Sequence, residues 1–172
     1  MNNIILIGFM GVGKSTIGSK IAEKLSYKFI DSDHKIEEKS GMCIPDIFHI
    51  YGEKYFRRLE FEVIKDIVNM AGIVLATGGG AVMNNQLFNI LLSKGTVIHL
   101  DASLSTLYDR LEDSNNRPML DHSNRKKRID ELYWLRRPVY MKAHHTINTD
   151  GKKIDEIVDE IVDIIGKEEG ES

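Results

Sequence analysis

Short apolar runs alternate along the chain with longer segments in which apolar residues recur at helical spacing. Runs bounded by polar residues predict buried strands, whereas the helical periodicity predicts amphipathic helices. This alternation indicates an α/β fold in which a parallel sheet carries helices on both faces. The predicted strands are 3–7, 28–31, 73–76, 96–100 and 145–148. The predicted helices are 14–25, 34–39, 44–51, 53–70, 84–92, 103–111, 125–142 and 152–165.

The first predicted strand runs directly into the segment Gly8-x-x-x-x-Gly13-Lys14-Ser15. This is the P-loop pattern, and it lies between a strand and a helix, as that motif requires. Because Gly8, Gly11 and Gly13 lack Cβ atoms, the backbone can bring its N–H groups around a phosphate, at the positive end of the next helix. Lys14 adds a charge near the β- and γ-phosphates, and the Ser15 hydroxyl is a ligand for Mg²⁺. The segment predicts a site for a nucleoside triphosphate.

Length, charge and cysteine content limit the classes of partner. The 172 residues suit a single domain, predicted at 1–166, followed by an acidic tail at 167–172 that we expect to be disordered. A formal net charge of −3 argues against a nucleic-acid partner, and no apolar run reaches the roughly 18 residues of a membrane span. Cys43 is the single cysteine, which excludes an intramolecular disulfide and favours the cytoplasm. Its apolar neighbours predict a packed position.

Two carboxylates follow the second predicted strand, in the segment Asp31-Ser32-Asp33. The carboxyl ends of parallel strands border the ligand crevice, so both acids are expected near the P-loop. If the segment stays extended, the two side chains share one face. One can then hold Mg²⁺ through water while the other accepts a proton from an attacking hydroxyl. The alternative is that the acids cap the following helix. Since the third strand ends in Thr77 instead of an aspartate, Asp31 is the better acidic partner for Mg²⁺.

Glycines and a charged pair mark a second group of candidate positions. Gly78, Gly79 and Gly80 follow the third predicted strand, where a bare turn does not need three successive glycines. They would let a small ligand approach the backbone closely. Arg57 and Glu60 are three residues apart and share a helix face. That spacing alone is also typical of a solvated helix.

The polar, irregular segment 112–125 is either a surface loop or a mobile lid. If it is a lid, Arg117 can reach the phosphates and neutralise charge during transfer. Arg136 lies in the next helical pattern, where Pro138 predicts a kink or an end. Taken singly, such arginines are more often solvated surface charges. The paired histidines at 144–145 lack a third ligand at the spacing of a metal site.

These motifs together resemble the shikimate kinase family, small P-loop kinases of aromatic amino-acid biosynthesis, from residue 4 to about 149. The resemblance implies a three-layer P-loop kinase fold with a five-stranded parallel sheet of order 2-3-1-4-5, substrate-binding helices at about 33–61 and a lid at about 112–125. It implies transfer of the ATP γ-phosphate to the 3-hydroxyl of shikimate, giving shikimate 3-phosphate and ADP, by a cytoplasmic monomer. The motifs are Gly8-Phe-Met-Gly-Val-Gly-Lys-Ser-Thr16, Asp31-Ser-Asp33, Phe56-Arg57-Arg58-Leu-Glu60, Gly78-Gly79-Gly80, Arg117-Pro118 and Arg136-Arg137-Pro138-Val-Tyr140.

The resemblance also implies a role for each candidate residue. One Mg²⁺ ion is expected with ATP on Ser15 and, through water, on Asp31. Asp33 is the implied base, and Glu60 would orient Arg57. The residues expected at ATP are Gly11, Val12, Gly13, Lys14, Ser15, Thr16, the adenine-flanking Arg110 and the lid residue Arg117. Those expected at shikimate are Asp33, Arg57, Gly79 and Arg136, and those expected to be catalytic are Asp33, Lys14 and Arg117.

The sequence leaves three points open. Asp150-Gly151-Lys152 stands where the family often places a basic or proline-containing turn against adenine, so the adenine contact is undetermined. Another small-molecule kinase, acting on gluconate or a nucleoside monophosphate, also fits a P-loop, although the Asp-Gly-Phe-Pro-Arg lid motif of nucleotide kinases is absent from the sequence. A non-catalytic nucleotide-binding module is the third possibility; loss of the carboxylate pair or of the lid arginine would mark it, and both are present.

Overall fold

A five-stranded parallel sheet forms the centre of the computed structural model, which describes residues 2–112 and 125–170. The strand order β2-β3-β1-β4-β5 confirms the predicted α/β class and the order that the resemblance implies. The strands are β1 (Asn3–Gly8), β2 (Lys28–Asp31), β3 (Ile73–Ala76), β4 (Gly95–Asp101) and β5 (His145–Asn148).

Helices connect the strands at the predicted places. The long helix α3 covers two predicted helices, which meet at a kink where Gly52 has φ 80° and ψ 170°, a conformation that favours glycine. A 3₁₀ turn, Ala81–Met83, follows β3. The helices are α1 (Lys14–Leu25), α2 (Ser32–Ser40), α3 (Ile44–Ile67), α4 (Asn85–Lys94), α5 (Leu104–Glu112), α6 (Arg125–Tyr140) and α7 (Ile154–Gly170).

The central strands are the most apolar segments because helices cover both faces of a parallel sheet. Every residue of β1 and β3 is buried, and Ile4 pairs with Val74 on one side and Thr96 on the other. The edge strands β2 and β5 are only partly buried. All five strands point the same way, so the segments that follow them meet at one edge of the sheet. That edge is where a doubly wound sheet binds its ligands.

Two sequence predictions are wrong in detail. Cys43 is exposed, because it stands at the N-cap of α3 while the neighbouring Met42 and Ile44 pack against the core. Helix α7 does not stop near residue 166 but continues to Gly170, so residues 167–170 are not a disordered tail. Its last turns are held to the sheet by Glu168, which accepts a hydrogen bond from Thr96 (2.7 Å) and pairs with a β5 histidine. No helix within the described ranges is long and apolar enough to cross a membrane.

Candidate active site

The P-loop (residues 8–16) bends through backbone conformations that favour glycine. Gly11 has φ 80° and Gly13 has φ 102°, and Gly13 directly precedes the first residue of α1. The ammonium of Lys14 donates to the carbonyls of Gly8 (2.8 Å) and Phe9 (3.0 Å). The loop therefore holds a positive charge beside the N-terminus of α1, where an anion is stabilised.

The remaining P-loop residues and Arg110 lie around the same turn. Ser15 and Thr16 are exposed in the first turn of α1, and Val12 is buried beneath it. Arg110 of α5 donates to the Val12 carbonyl at 3.0 Å and to the Gly11 carbonyl at 3.4 Å. The guanidinium thus lies against the outside of the loop. Arg117 lies outside the residues that the structure describes.

Asp31 combines the two alternatives that the sequence left open. Its Oδ1 accepts hydrogen bonds from the backbone N–H groups of Asp33 (2.9 Å) and His34 (3.3 Å), which caps α2. Its Oδ2 accepts from the Ser15 hydroxyl at 2.5 Å. The helix cap therefore fixes the carboxylate so that its other oxygen faces the P-loop.

The Ser15 hydroxyl and the Asp31 carboxylate suit a Mg²⁺ ion. Mg²⁺ is bound by oxygen ligands, usually one or two from the protein, with water and substrate phosphates completing the octahedron. Within residues 2–112 and 125–170, no cluster of three or more His, Cys, Asp or Glu side chains is placed to hold a metal. The paired histidines have other contacts: His144 accepts from the Val97 N–H at 3.0 Å, and His145 lies 2.7 Å from Glu168.

The prediction that Asp31 and Asp33 share one face requires the strand to continue through Asp33, and this prediction is wrong. Asp33 lies in the first turn of α2, because that helix already begins at Ser32. The Ser32 side chain is fully buried, and its hydroxyl accepts a hydrogen bond from the Gly78 N–H at 3.0 Å. The sequence analysis assigned Ser32 no role. Its position between Asp31 and Asp33 was the one feature of the sequence that could have suggested a role near the site. The first turn of α2 thereby holds the start of the glycine segment (residues 78–80).

The residues of the glycine segment lack side chains because charged side chains of other elements pack directly on its backbone. A Cβ atom on Gly78 would lie 2.8 Å from Oδ1 of Asp33 and 3.0 Å from Oε1 of Glu60. Neither the turn nor a positive φ explains the first glycine, since Gly78 is not among the positive-φ glycines of the described chain. Because Gly78 has no Cβ atom, the side chains of Asp33 and Glu60 can both lie against its backbone.

The other two glycines receive the two arginines. A Cβ on Gly79 would lie 3.4 Å from Nη1 of Arg136, and one on Gly80 would lie 2.8 Å from Cζ of Arg57. The Gly79 position is also 3.5 Å from the Gly8 carbonyl oxygen. The structure therefore brings the residues predicted to bind the phosphate acceptor together against the backbone of the P-loop. Asp33, Arg57, Glu60 and Arg136 form, with the glycine segment, the acceptor cluster.

Glu60 is a buried carboxylate within this cluster. Its Oε2 pairs with Arg57 at 2.7 Å, the contact that an orienting role requires. Its Oε1 is buried and has no hydrogen-bond partner among the described residues. Burial raises the pKa of Glu60 to about 7, although the Arg57 guanidinium acts in the opposite direction. The sequence showed the spacing of this pair but gave no sign that Glu60 is only 2% exposed.

The segment after β5 closes the nucleotide side of the edge. Asp150 accepts a hydrogen bond from the Ser103 N–H at 2.9 Å, which ties this segment to the one after β4. Burial opposes the shift, but hydrogen bonds from Thr106 and Ser103 hold the pKa of Asp150 below its ordinary value. An ionised carboxylate thus stands at the position whose adenine contact the sequence left open.

Comparisons with known proteins agree with this geometry. The shikimate kinase family model matches residues 10–166. A shikimate kinase from Sulfurihydrogenibium sp. is 48% identical over 162 residues, covering 94% of this chain and 96% of the relative. One from Thermus thermophilus is 44% identical over 161 residues, covering 93% and 88%. The structure of Acinetobacter baumannii shikimate kinase in complex with shikimate is similar, with a TM-score of 0.93 and 36% identity, covering 98% of this chain and 94% of that one.

These matches span nearly the whole chain, and they confirm the resemblance first seen in the motifs. They also decide against the non-catalytic module and the other small-molecule kinases, since the family itself is defined by its kinase activity. The P-loop and the acceptor cluster lie at one edge of the sheet, and this geometry agrees with the comparisons. The chain belongs to the shikimate kinase family, whose members are ATP-dependent phosphotransferases.

Proposed function

We propose that this chain transfers the γ-phosphate of ATP to the 3-hydroxyl of shikimate, giving shikimate 3-phosphate and ADP. The observation that carries this proposal is the position of Gly79. A Cβ atom on Gly79 would lie 3.4 Å from Nη1 of Arg136 and 3.5 Å from the P-loop carbonyl oxygen of Gly8, so Arg136 and the P-loop both lie against this residue. An acceptor bound by Arg136 would therefore lie beside the phosphates. Positioning of the two reactants supplies much of the rate of such transfers.

The charges of the cluster match the acceptor. Arg57 and Arg136 present two guanidinium groups, which bind a carboxylate through paired, charge-assisted hydrogen bonds. Asp33 faces the same segment and accepts hydrogen bonds from ring hydroxyls. We assign Asp33 as the base that takes the proton of the attacking 3-hydroxyl.

The P-loop side holds the nucleotide. Lys14 neutralises charge on the β- and γ-phosphates, and backbone N–H groups of the loop hold them in place. Ser15 and Asp31 would hold one Mg²⁺ ion, which supplies further neutralisation of the transferring phosphate. We assign Arg110 to the adenine side. Arg117 keeps its predicted role as the lid arginine, on sequence grounds alone.

A single chain carries every group in this scheme that the structure describes. The P-loop, Asp33, Arg57 and Arg136 meet without a contribution from a second copy. We therefore propose a monomer with a single domain that includes helix α7 as far as Gly170, acting in the cytoplasm, where the exposed thiol of Cys43 stays reduced.

A coupled assay of ADP release tests the proposal, with shikimate, gluconate and AMP supplied in parallel. We expect turnover with shikimate alone, and ³¹P NMR should place the new phosphate on the 3-hydroxyl. Lys14→Ala should lose this turnover, whereas Lys20→Ala, an exposed lysine of the same helix, should keep it. Phosphorylation of gluconate or AMP in place of shikimate would contradict the proposal.

A further inference from the structure

Tyr140, the last residue of α6, is buried directly behind the acceptor cluster. Its side chain is 2% exposed, and its hydroxyl donates a hydrogen bond to the carbonyl of Gly79. Its ring lies against His99 of β4, with the ring centroids 5.2 Å apart. The ring is thus fixed by packing, and its one polar atom reaches the glycine segment.

Arg136 lies one helical turn before Tyr140 and hydrogen-bonds with its side chain. Nη1 of Arg136 is also 3.4 Å from the Cβ position of Gly79. A single phenol therefore contacts both the backbone and the guanidinium that the proposed function assigns to the acceptor. The sequence predicts neither contact, because it shows Tyr140 only as the last residue of the motif that begins at Arg136.

The protonation states keep this arrangement intact. Burial raises the pKa of Tyr140 to about 12, although the Arg136 guanidinium opposes the rise, so the phenol remains a donor at neutral pH. Burial lowers the pKa of His99 to about 4, with Asp101 acting against the shift. The neighbouring imidazole is therefore neutral at pH 7 and adds no positive charge beside the Tyr140 ring.

The glycine segment needs such a clamp. Three successive glycines have few steric restraints, so the orientation of their peptide planes must be set by contacts. Ser32 holds the Gly78 N–H, and Tyr140 holds the Gly79 carbonyl. Because the peptide unit is planar, fixing that carbonyl also directs the Gly80 N–H to the opposite side.

We propose that Tyr140 is a positioning residue for the acceptor, fixing the Gly79 peptide and the Arg136 guanidinium in the geometry that receives the carboxylate and hydroxyls. This inference rests on the proposed function, in which Gly79 and Arg136 bind the acceptor. Tyr140 acts through these two residues and is not itself a catalytic group.

Tyr140→Phe removes the hydroxyl and keeps the ring. We expect it to weaken shikimate binding about threefold to tenfold, the effect of one ordinary hydrogen bond on an equilibrium. The dissociation constant of ATP and the melting temperature should change little. Tyr133→Phe is the matched control: it is another buried tyrosine of α6, and its hydroxyl donates to the Ala102 carbonyl at 3.3 Å, away from the glycine segment. Calorimetric titration with each ligand, together with KM for each substrate, measures how the effect on shikimate binding differs from the effect on ATP binding.

Different results separate the possible failures. If Tyr140→Phe binds shikimate normally while Arg136→Lys does not, the inference is wrong and the proposed function stands. If shikimate and ATP weaken equally, or Tyr133→Phe behaves alike, Tyr140 is merely structural and the inference is again wrong. If Arg136→Lys itself binds shikimate normally, Arg136 does not bind the acceptor, and the inference is wrong as well.

Incorporating p-aminophenylalanine at position 140, which retains a hydrogen-bond donor, should restore shikimate binding. No recovery would also overturn the inference.

Discussion

Replacing Glu60 by glutamine tests whether the carboxylate beside the acceptor arginines is as buried as the structure shows. Glu60 is 2% exposed, and one of its oxygens lacks a hydrogen-bond partner within the described part of the chain. Such an oxygen disfavours ionisation. The variant Glu60→Gln keeps the shape of the side chain and an oxygen that can accept from Arg57, but it has no proton to lose.

The magnitude follows from the pKa. Burial raises the pKa of Glu60 from its ordinary 4.5 to about 7. Between these values the folded chain holds a proton that the unfolded chain has released, so the free energy of unfolding falls as the pH rises. The interval corresponds to a loss of about 3 kcal/mol, complete just above pH 7. Since Glu60→Gln lacks this loss, its stability relative to the parent chain should rise by about that amount from acid to mildly alkaline pH.

Urea unfolding followed by circular dichroism, at steps between about pH 4.5 and pH 8.5, measures this difference. Glu62→Gln is the control, because Glu62 is an exposed residue on the same helix. Its stability relative to the parent chain should vary far less over this interval. A stability difference for Glu60→Gln that stays constant across the range would refute the buried, protonatable carboxylate.

Further substitutions test the individual roles. Asp33→Asn should lower kcat by about 10²–10⁴ with unchanged ATP affinity in calorimetry, the usual effect of losing a general base; weakened ATP binding would place Asp33 with the metal. Ser15→Ala should raise the Mg²⁺ concentration needed for half-maximal rate, and an unaltered requirement would count against Ser15 as a ligand. Gly80→Ala adds a Cβ 2.8 Å from Cζ of Arg57 and should raise KM for shikimate, whereas Gly166→Ala, with nothing within 4 Å, should not.

The fold and the nucleotide side could be predicted because their signals are local. The strand, the glycines and the lysine of the P-loop are contiguous, and each has one physical reason to be there. Asp31 was placed correctly beside Ser15 because parallel strands end at one edge, but its simultaneous helix cap needs the three-dimensional start of α2. Pattern reasoning treated the two roles as alternatives.

The acceptor side depends on contacts between distant segments, which periodicity does not reveal. The three glycines at 78–80 predict room for a ligand, but side chains from α2, α3 and α6 occupy the space beside them. Burial of Glu60 and Tyr140 is likewise a property of the assembled cluster. The predicted end of α7 at residue 165 is wrong because Glu168 is stabilised by Thr96 and His145, both far away in sequence.

The most direct test of the acceptor site compares the loss of Arg57 and of Arg136, which both lie against the glycine segment, with the loss of Arg58, which neighbours Arg57 in the sequence. Arg57→Ala and Arg136→Ala should each weaken shikimate binding about tenfold to a hundredfold, the loss of one charge-assisted hydrogen bond of about 1.5–3 kcal/mol, while ATP affinity stays nearly constant. Arg58→Ala removes an exposed arginine that lies over the Tyr55 ring and should leave both affinities unchanged. Calorimetric titration of the three variants with each ligand gives the answer. Shikimate affinity that is unaffected by the loss of Arg57 and Arg136, or equally affected by the loss of Arg58, would contradict the placement of the acceptor against the glycine segment.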